Sequence, residues 1–242
     1  MHRASSWTEF LDIIKAVRLG SKGLDLWYRG QSDFNHTLLP SLFRSENGFI
    51  VEKEVFKTYR KISYRVQGDQ KNDWETLFDM QHNWIPTRLL DWTENLGISV
   101  YFATRYNKNN SDMAIYILNP KELNLYSNKS DIPVVQDEPM ALDYVQNYLD
   151  KKPFPPRYPI AISPNFSNER MVAQRGIFTI HGDDLTPIEI LCPKAVMKIV
   201  LGAEAIDEAR EFLELANINE YTVFPDMNGV ADYIRRTVLQ YT

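Results

Sequence analysis

Apolar residues recur at helical spacing near the start of the chain. Trp7, Phe10, Leu11, Ile14 and Val17 fall on one face and predict a helix over about 7–19. Ser6 followed by Glu9 has capping-box spacing, and Gly20 and Gly23 end the run. Residues 24–29 then read as a short strand, left by a polar loop over 31–36. Three more helical patterns are predicted at about 51–66, 73–82 and 94–106, followed by a solvated turn at 107–112 and a buried strand at 114–118 that Asn119-Pro120 closes. Residues 121–160 read as surface connections, with a polar stretch, a short helix at 141–149 and the proline-rich 153–156. Strands are expected at 158–162, 176–180, 187–191 and 196–201, and helices at about 168–174, 203–216 and 228–239. Helices crowd the first half and strands the second. The expected fold is therefore α+β, a single compact domain with a helix-rich N-terminal half and a mostly antiparallel sheet built largely from the C-terminal half.

Composition narrows the function classes. With 242 residues and 44% hydrophobic content, the chain can fill a sizeable core. It has no apolar run of about 18 residues and no apolar stretch of the secretory kind after Met1, so a cytoplasmic location without membrane partners is expected. The single Cys192 lies in an apolar run and reads as a small core residue. His2, His36, His82 and His181 are scattered without zinc spacing, so no metal is expected. A net charge of −5 argues against broad binding to nucleic acid, while a local basic pocket for a phosphate ligand remains compatible with it. The glycine loops of the common nucleotide-binding folds are absent from the sequence.

Two islands break the packing pattern. The first, Trp27-Tyr28-Arg29-Gly30-Gln31, puts a guanidinium at the end of a predicted strand, where it can clamp a phosphate or carboxylate. Gly30 beside it would let a ligand approach the backbone, and Gln31 leads into the loop. The competing reading is a structural ion pair beside an ordinary turn glycine. The second island runs from Met80 to Thr93. Thr93 is placed to cap a following helix, and Thr87 and Arg88 sit just upstream, where amides and helix dipole favour an anion, so 87–93 is a candidate phosphate corner. His82 and Asp91 flank it and can move protons or hold a ribose hydroxyl, but each also has a structural reading, as a buried histidine and as a cap or Arg88 partner. A third stretch sets Arg170 and Gln174 four residues apart on one helical face before Gly176, either at a cleft edge or on a solvated face with a glycine cap.

Tyr28-Arg29-Gly30, the run Gln81-His82-x-x-x-Pro86-Thr87-Arg88-Leu89-Leu90-Asp91-Trp92-Thr93, and Tyr101-Phe102-Ala103 together resemble the FRG domain family, found mostly in bacterial and phage proteins. Arg170-x-x-x-Gln174-x-Gly176-x-Phe178 and Phe224-Pro225-Asp226-x-x-Gly229 look like the same family. The resemblance implies one FRG domain over 1–242 with a core at about 20–235. Two departures stand out: Trp84 occupies a position where the family commonly has a small residue, often glycine, and would narrow the pocket entrance, and Tyr28 replaces the family's eponymous aromatic.

The Tyr-Arg-Gly strand is similar to the first strand of ADP-ribosyltransferases, in which an arginine contacts the NAD phosphates. The similarity implies a nucleotide-directed transferase or NAD-cleaving effector in toxicity or anti-phage defence, with NAD as substrate and no bound cofactor. Arg29, Gly30, Gln31, Thr87, Arg88 and Thr93 would bind the nucleotide and its phosphates. His82, Asp91 and Gln174 would carry the chemistry, Gln174 standing near the family's catalytic glutamate, which it cannot replace as a carboxylate. A non-catalytic sensor for a nucleotide or phage component is the alternative, and metal-independent RNA cleavage a third. The acceptor of any transferred group and the oligomeric state are not legible in the sequence.

Overall fold

The computed structural model describes residues 2–68, 71–107, 111–129, 131–135, 142–165 and 169–239. In chain order, the elements are β1 (His2–Ala4), α1 (Trp7–Gly20), β2 (Trp27–Gln31), a 3-10 turn (Ser41–Arg44), α2 (Gly48–Gln67), α3 (Asp73–His82), β3 (Leu89–Thr93), α4 (Leu96–Arg105), β4 (Met113–Leu118) and α5 (Pro120–Tyr126). Then come a π-helical turn (Val145–Leu149), β5 (Ile160–Ile162), α6 (Glu169–Gln174), β6 (Gly176–Ile180), α7 (Ile188–Leu191), β7 (Val196–Leu201), a 3-10 turn (Ala203–Ala205), α8 (Ile206–Leu215), α9 (Glu220–Val223) and α10 (Met227–Thr237). The strands form one sheet in the order β1-β7-β4-β2-β3-β6-β5, in which β1 and β7 run parallel and the other neighbours antiparallel. The α+β class holds. The sheet's centre, however, is built from the N-terminal half: β2, β3 and β4 occupy its middle, and the C-terminal half supplies β5, β6 and β7.

Alternation along the strands sorts side chains onto two faces. One face carries two separate cores. Tyr28, Ile115, Ile117 and Ile199 pack under α1, α4 and α8, whereas Leu89, Phe178, Ile180 and Ile160 pack against Phe56, Trp74 and Phe78 of α2 and α3. Trp27, Leu90, Trp92, Tyr116 and Ile177 form the third core on the opposite face, closed by Ile188 and Cys192. Burial raises the Cys192 thiol above its ordinary value, consistent with a core residue.

The sheet opens between the first two cores. β2 pairs with β4 over five residues and β3 with β6 over five, but β2 and β3 meet at one register pair, Tyr28 with Thr93. Beyond that pair the strands diverge, leaving a gap flanked by α3 on one side and α4 on the other.

Several expected elements differ. Residues 187–191 form the single helical turn α7, not a strand. The turn buries Ile188 in the third core and lets the Glu189 carboxylate accept from the Leu38 amide at 3.1 Å. Thr93 ends β3 and does not cap α4; Asn95 does, with Oδ1 accepting from Gly97 N at 2.8 Å. β1, β3, α5 and α9 had no counterpart in the sequence reading. Of the turn expected at 107–112, the helix at 141–149 and the helix at 168–174, residues 108–110, 141 and 168 lie outside the described residues.

Candidate functional site

A cleft of about 340 Å³ lies where β2 and β3 part. It is within the size range of small-molecule sites. Arg29, Gly30, Gln31, His82, Asp91, Thr93 and Gln174 all line it, so the three stretches singled out in the sequence meet in one place.

Arg29 spans the split. Its Nη1 donates to the main-chain oxygen of Asp91 at 2.6 Å and stands 3.7 Å from the Asp91 carboxylate, taking the place of a strand-to-strand bond. Burial pulls this guanidinium below its ordinary value, with Asp91 opposing and Arg44 adding to the shift. Its Nε is buried without a hydrogen-bond partner, as is Nε2 of the buried Gln31 at the wide end of the gap.

The Asp91 carboxylate faces the cleft with 56% of its side chain exposed. Its orientation comes from a relay: the Thr87 hydroxyl donates to the Gln81 side-chain oxygen, and the Gln81 amide donates to Asp91 Oδ2 at 2.7 Å. Thr87 is buried and also accepts from Leu89 N at 3.0 Å. Its position is behind the cleft wall and its part is support, not the phosphate contact expected of it.

Arg88 is likewise corrected. It points into the protein, fully buried, with Nε donating to Glu52 Oε1 at 2.6 Å, a second ion-pair contact from Nη2 to Glu52 Oε2, and Nη1 donating to the His181 carbonyl at 2.9 Å. The Tyr144 hydroxyl completes the cluster by donating to Glu52 Oε1 at 2.9 Å. The expected phosphate corner is thus a strand whose Arg88 is neutralised internally. Thr93 lines the cleft, but its hydroxyl donates to the Gln174 carbonyl at 2.7 Å and accepts from Asn95 N at 3.0 Å, fastening β3 to α6 and α4.

Gly30 has a different reason from the one expected. A Cβ there would collide with the Ser99 carbonyl oxygen and lie 2.8 Å from the Ala103 amide nitrogen, so the missing side chain admits the backbone of α4 against β2. Gln174 presents its amide to the Val223 carbonyl at 3.1 Å, tying α6 to α9 at the wall. The turn after it uses Arg175 at φ 44°, so the backbone reversal precedes Gly176.

His82 ends α3 at the cleft edge. Burial, reinforced by Arg170, holds its imidazole below the ordinary histidine value despite Asp79 and Asp226, which favours the neutral ring. Arg170 donates to the His82 carbonyl at 3.0 Å and lies between two rings, with its guanidinium 5.3 Å from Trp84 and 4.6 Å from Phe224. Arg105 stacks on Phe224 at 4.6 Å and binds Asp232 at 2.7 Å. The late Phe-Pro-Asp motif holds Phe224 there: Asp226 caps α10, and Gly229 packs against the Phe224 and Glu220 carbonyls.

The sequence reading did not select Arg44, which lies in a 3-10 turn and reaches the cleft from a segment without periodicity. It also left Gln81 without a role, although Gln81 stands in the central motif.

Residues 25–112 match the FRG domain family model, and this span contains the Arg29, His82 and Asp91 walls of the cleft. Comparisons with curated proteins and with solved structures return no match. No helix among the described residues is long and apolar enough to cross a membrane. No group of three histidine, cysteine or acidic side chains among them is arranged to hold a metal ion.

Proposed function

We propose that the cleft binds a nucleotide of the NAD type and cleaves its ribose–nicotinamide bond, in the manner of ADP-ribosyltransferases. One observation carries the reading: in a chain of net charge −5, the cleft is lined by Arg29, Arg44 and Arg170 together with Asp91, whose carboxylate lies 3.7 Å from Arg29. Such walls attract a ligand with two negative charges and offer a carboxylate to a positive centre. Arg29 and Arg44, which both line the cleft, hold the diphosphate. When the C1′–N bond breaks, the electron pair leaves with nicotinamide and positive charge develops on the ribose. Asp91 stabilises that charge electrostatically without forming a bond. Neutral His82 takes the proton of the attacking water or acceptor hydroxyl. Gln174 serves as wall and support for the sugar. An effector of toxin or anti-phage type is a setting that this chemistry fits.

The test is incubation of purified protein with NAD beside an Asp91→Asn control, with nicotinamide followed by chromatography. Release by the wild type that is lost in the control is the expected result.

One observation favours a second reading, a nucleotide-binding module without turnover. Asp91 is already bonded by Gln81 and neighboured by Arg29, as in a fixed structural network. Nucleotide binding that Arg29→Ala abolishes, in a protein that releases no nicotinamide, would favour the module.

A further inference from the structure

Trp84 stands in a conformation that tryptophan rarely adopts. It follows the end of α3 with φ 61°, Trp84 N donates to the Gln81 carbonyl at 3.2 Å, and Ile85 N donates to the Met80 carbonyl at 3.0 Å. These two bonds are those of a Schellman helix end, whose left-handed position favours glycine because a Cβ is strained there. The indole is also 67% exposed and lines the cleft. Neither core packing nor backbone geometry accounts for a large aromatic at this site.

The surroundings of the ring supply a reason. Arg170 lies over it at 5.3 Å and is itself held by the His82 carbonyl and the Phe224 ring, so the indole is braced from one side and exposed to the cleft mouth. An aromatic ring braced by a guanidinium beside a cationic cleft is the arrangement on which nucleobases stack. Resting on the nucleotide reading given above, we propose that Trp84 is the base-stacking platform of this site: the planar ring of a nucleotide lies on its indole while the diphosphate reaches Arg29 and Arg44. A strained position is thereby occupied by the side chain that selects base-bearing ligands over simple polyphosphates.

The test uses ADP-ribose, which carries a base, and inorganic pyrophosphate, which does not, with wild type, Trp84→Leu, Trp84→Phe and Trp84→Gly. The glycine variant suits the left-handed backbone and keeps the experiment interpretable should leucine prove too strained. Loss of ADP-ribose affinity in the leucine and glycine variants by about 5- to 100-fold is expected. Pyrophosphate affinity should not change, and phenylalanine should restore most of the ADP-ribose binding. Equal ADP-ribose affinity in wild type and both truncated variants would overturn the proposal. So would a parallel loss of pyrophosphate binding, or no ADP-ribose binding by the wild type. Trp84-dependent ADP-ribose binding without nicotinamide release would leave the platform standing and remove the cleavage reading alone.

Discussion

Arg29 and Arg88 carry the same charge near the same split in the sheet and have opposite fates. Arg29 reaches across the gap into the cleft, whereas Arg88 turns inward to the paired oxygens of Glu52. Sequence alone could not separate them, because Glu52 lies 36 residues away and its place on the face of Val55, Phe56 and Tyr59 does not say which arginine it meets. Arg88→Ala would leave Glu52 buried and unpaired, so a stability loss of about 3–5 kcal/mol is expected in urea denaturation. A variant with near wild-type stability that no longer binds nucleotide would return Arg88 to the ligand. Asp91 was legible as a candidate because it is an acid inside an apolar run. The Thr87–Gln81 relay that aims it was not, since it depends on α3 ending beside β3.

At the scale of elements, helical periods and most of the buried strands read well, and β3 did not. The periodic faces of α1 and α3 predicted their bounds closely, and β6 and β7 matched residue for residue. β3 escaped because Thr93 before Glu94 and Asn95 resembles a helix cap, which drew residues 87–93 into the approach to a helix. Residues 187–191 misled in the other direction: Ile-Glu-Ile alternates like a strand but is too short for period two to exclude one helical turn. Gly30 belongs to this scale, since it sets the distance between β2 and α4. Gly30→Ala is expected to cost about 1–3 kcal/mol or more by pushing α4 off the sheet, measured by denaturation. Unchanged stability with lost ligand binding would instead assign the glycine to ligand approach.

For the whole molecule, the two cores on one sheet face create the cleft by failing to merge, and a net-negative protein concentrates guanidiniums there. The α+β class was legible from element order. The placement of the sheet's centre was not: strands were expected near β2 and β4, but β3, which joins β2 to β6, was not. Buried charge chemistry also sets a global acid limit. Burial and the neighbouring Arg88 lower His181 to about 3 from an ordinary 6.5. The unfolded chain therefore takes up a proton that the native state refuses as pH falls below about 6.5, and this contribution to stability declines until the folded value is reached. Denaturation midpoints should fall over that range, with a shallower slope in His181→Gln; identical slopes would contradict the assignment. The central proposal, that the split between β2 and β3 is a nucleotide site in which the Asp91 carboxylate stabilises the developing charge, is tested most directly by comparing NAD binding and nicotinamide release in wild type and Asp91→Asn. The account predicts retained binding with release reduced by about 10²- to 10³-fold. Wild-type release persisting in the variant, or binding and release lost together, would contradict it.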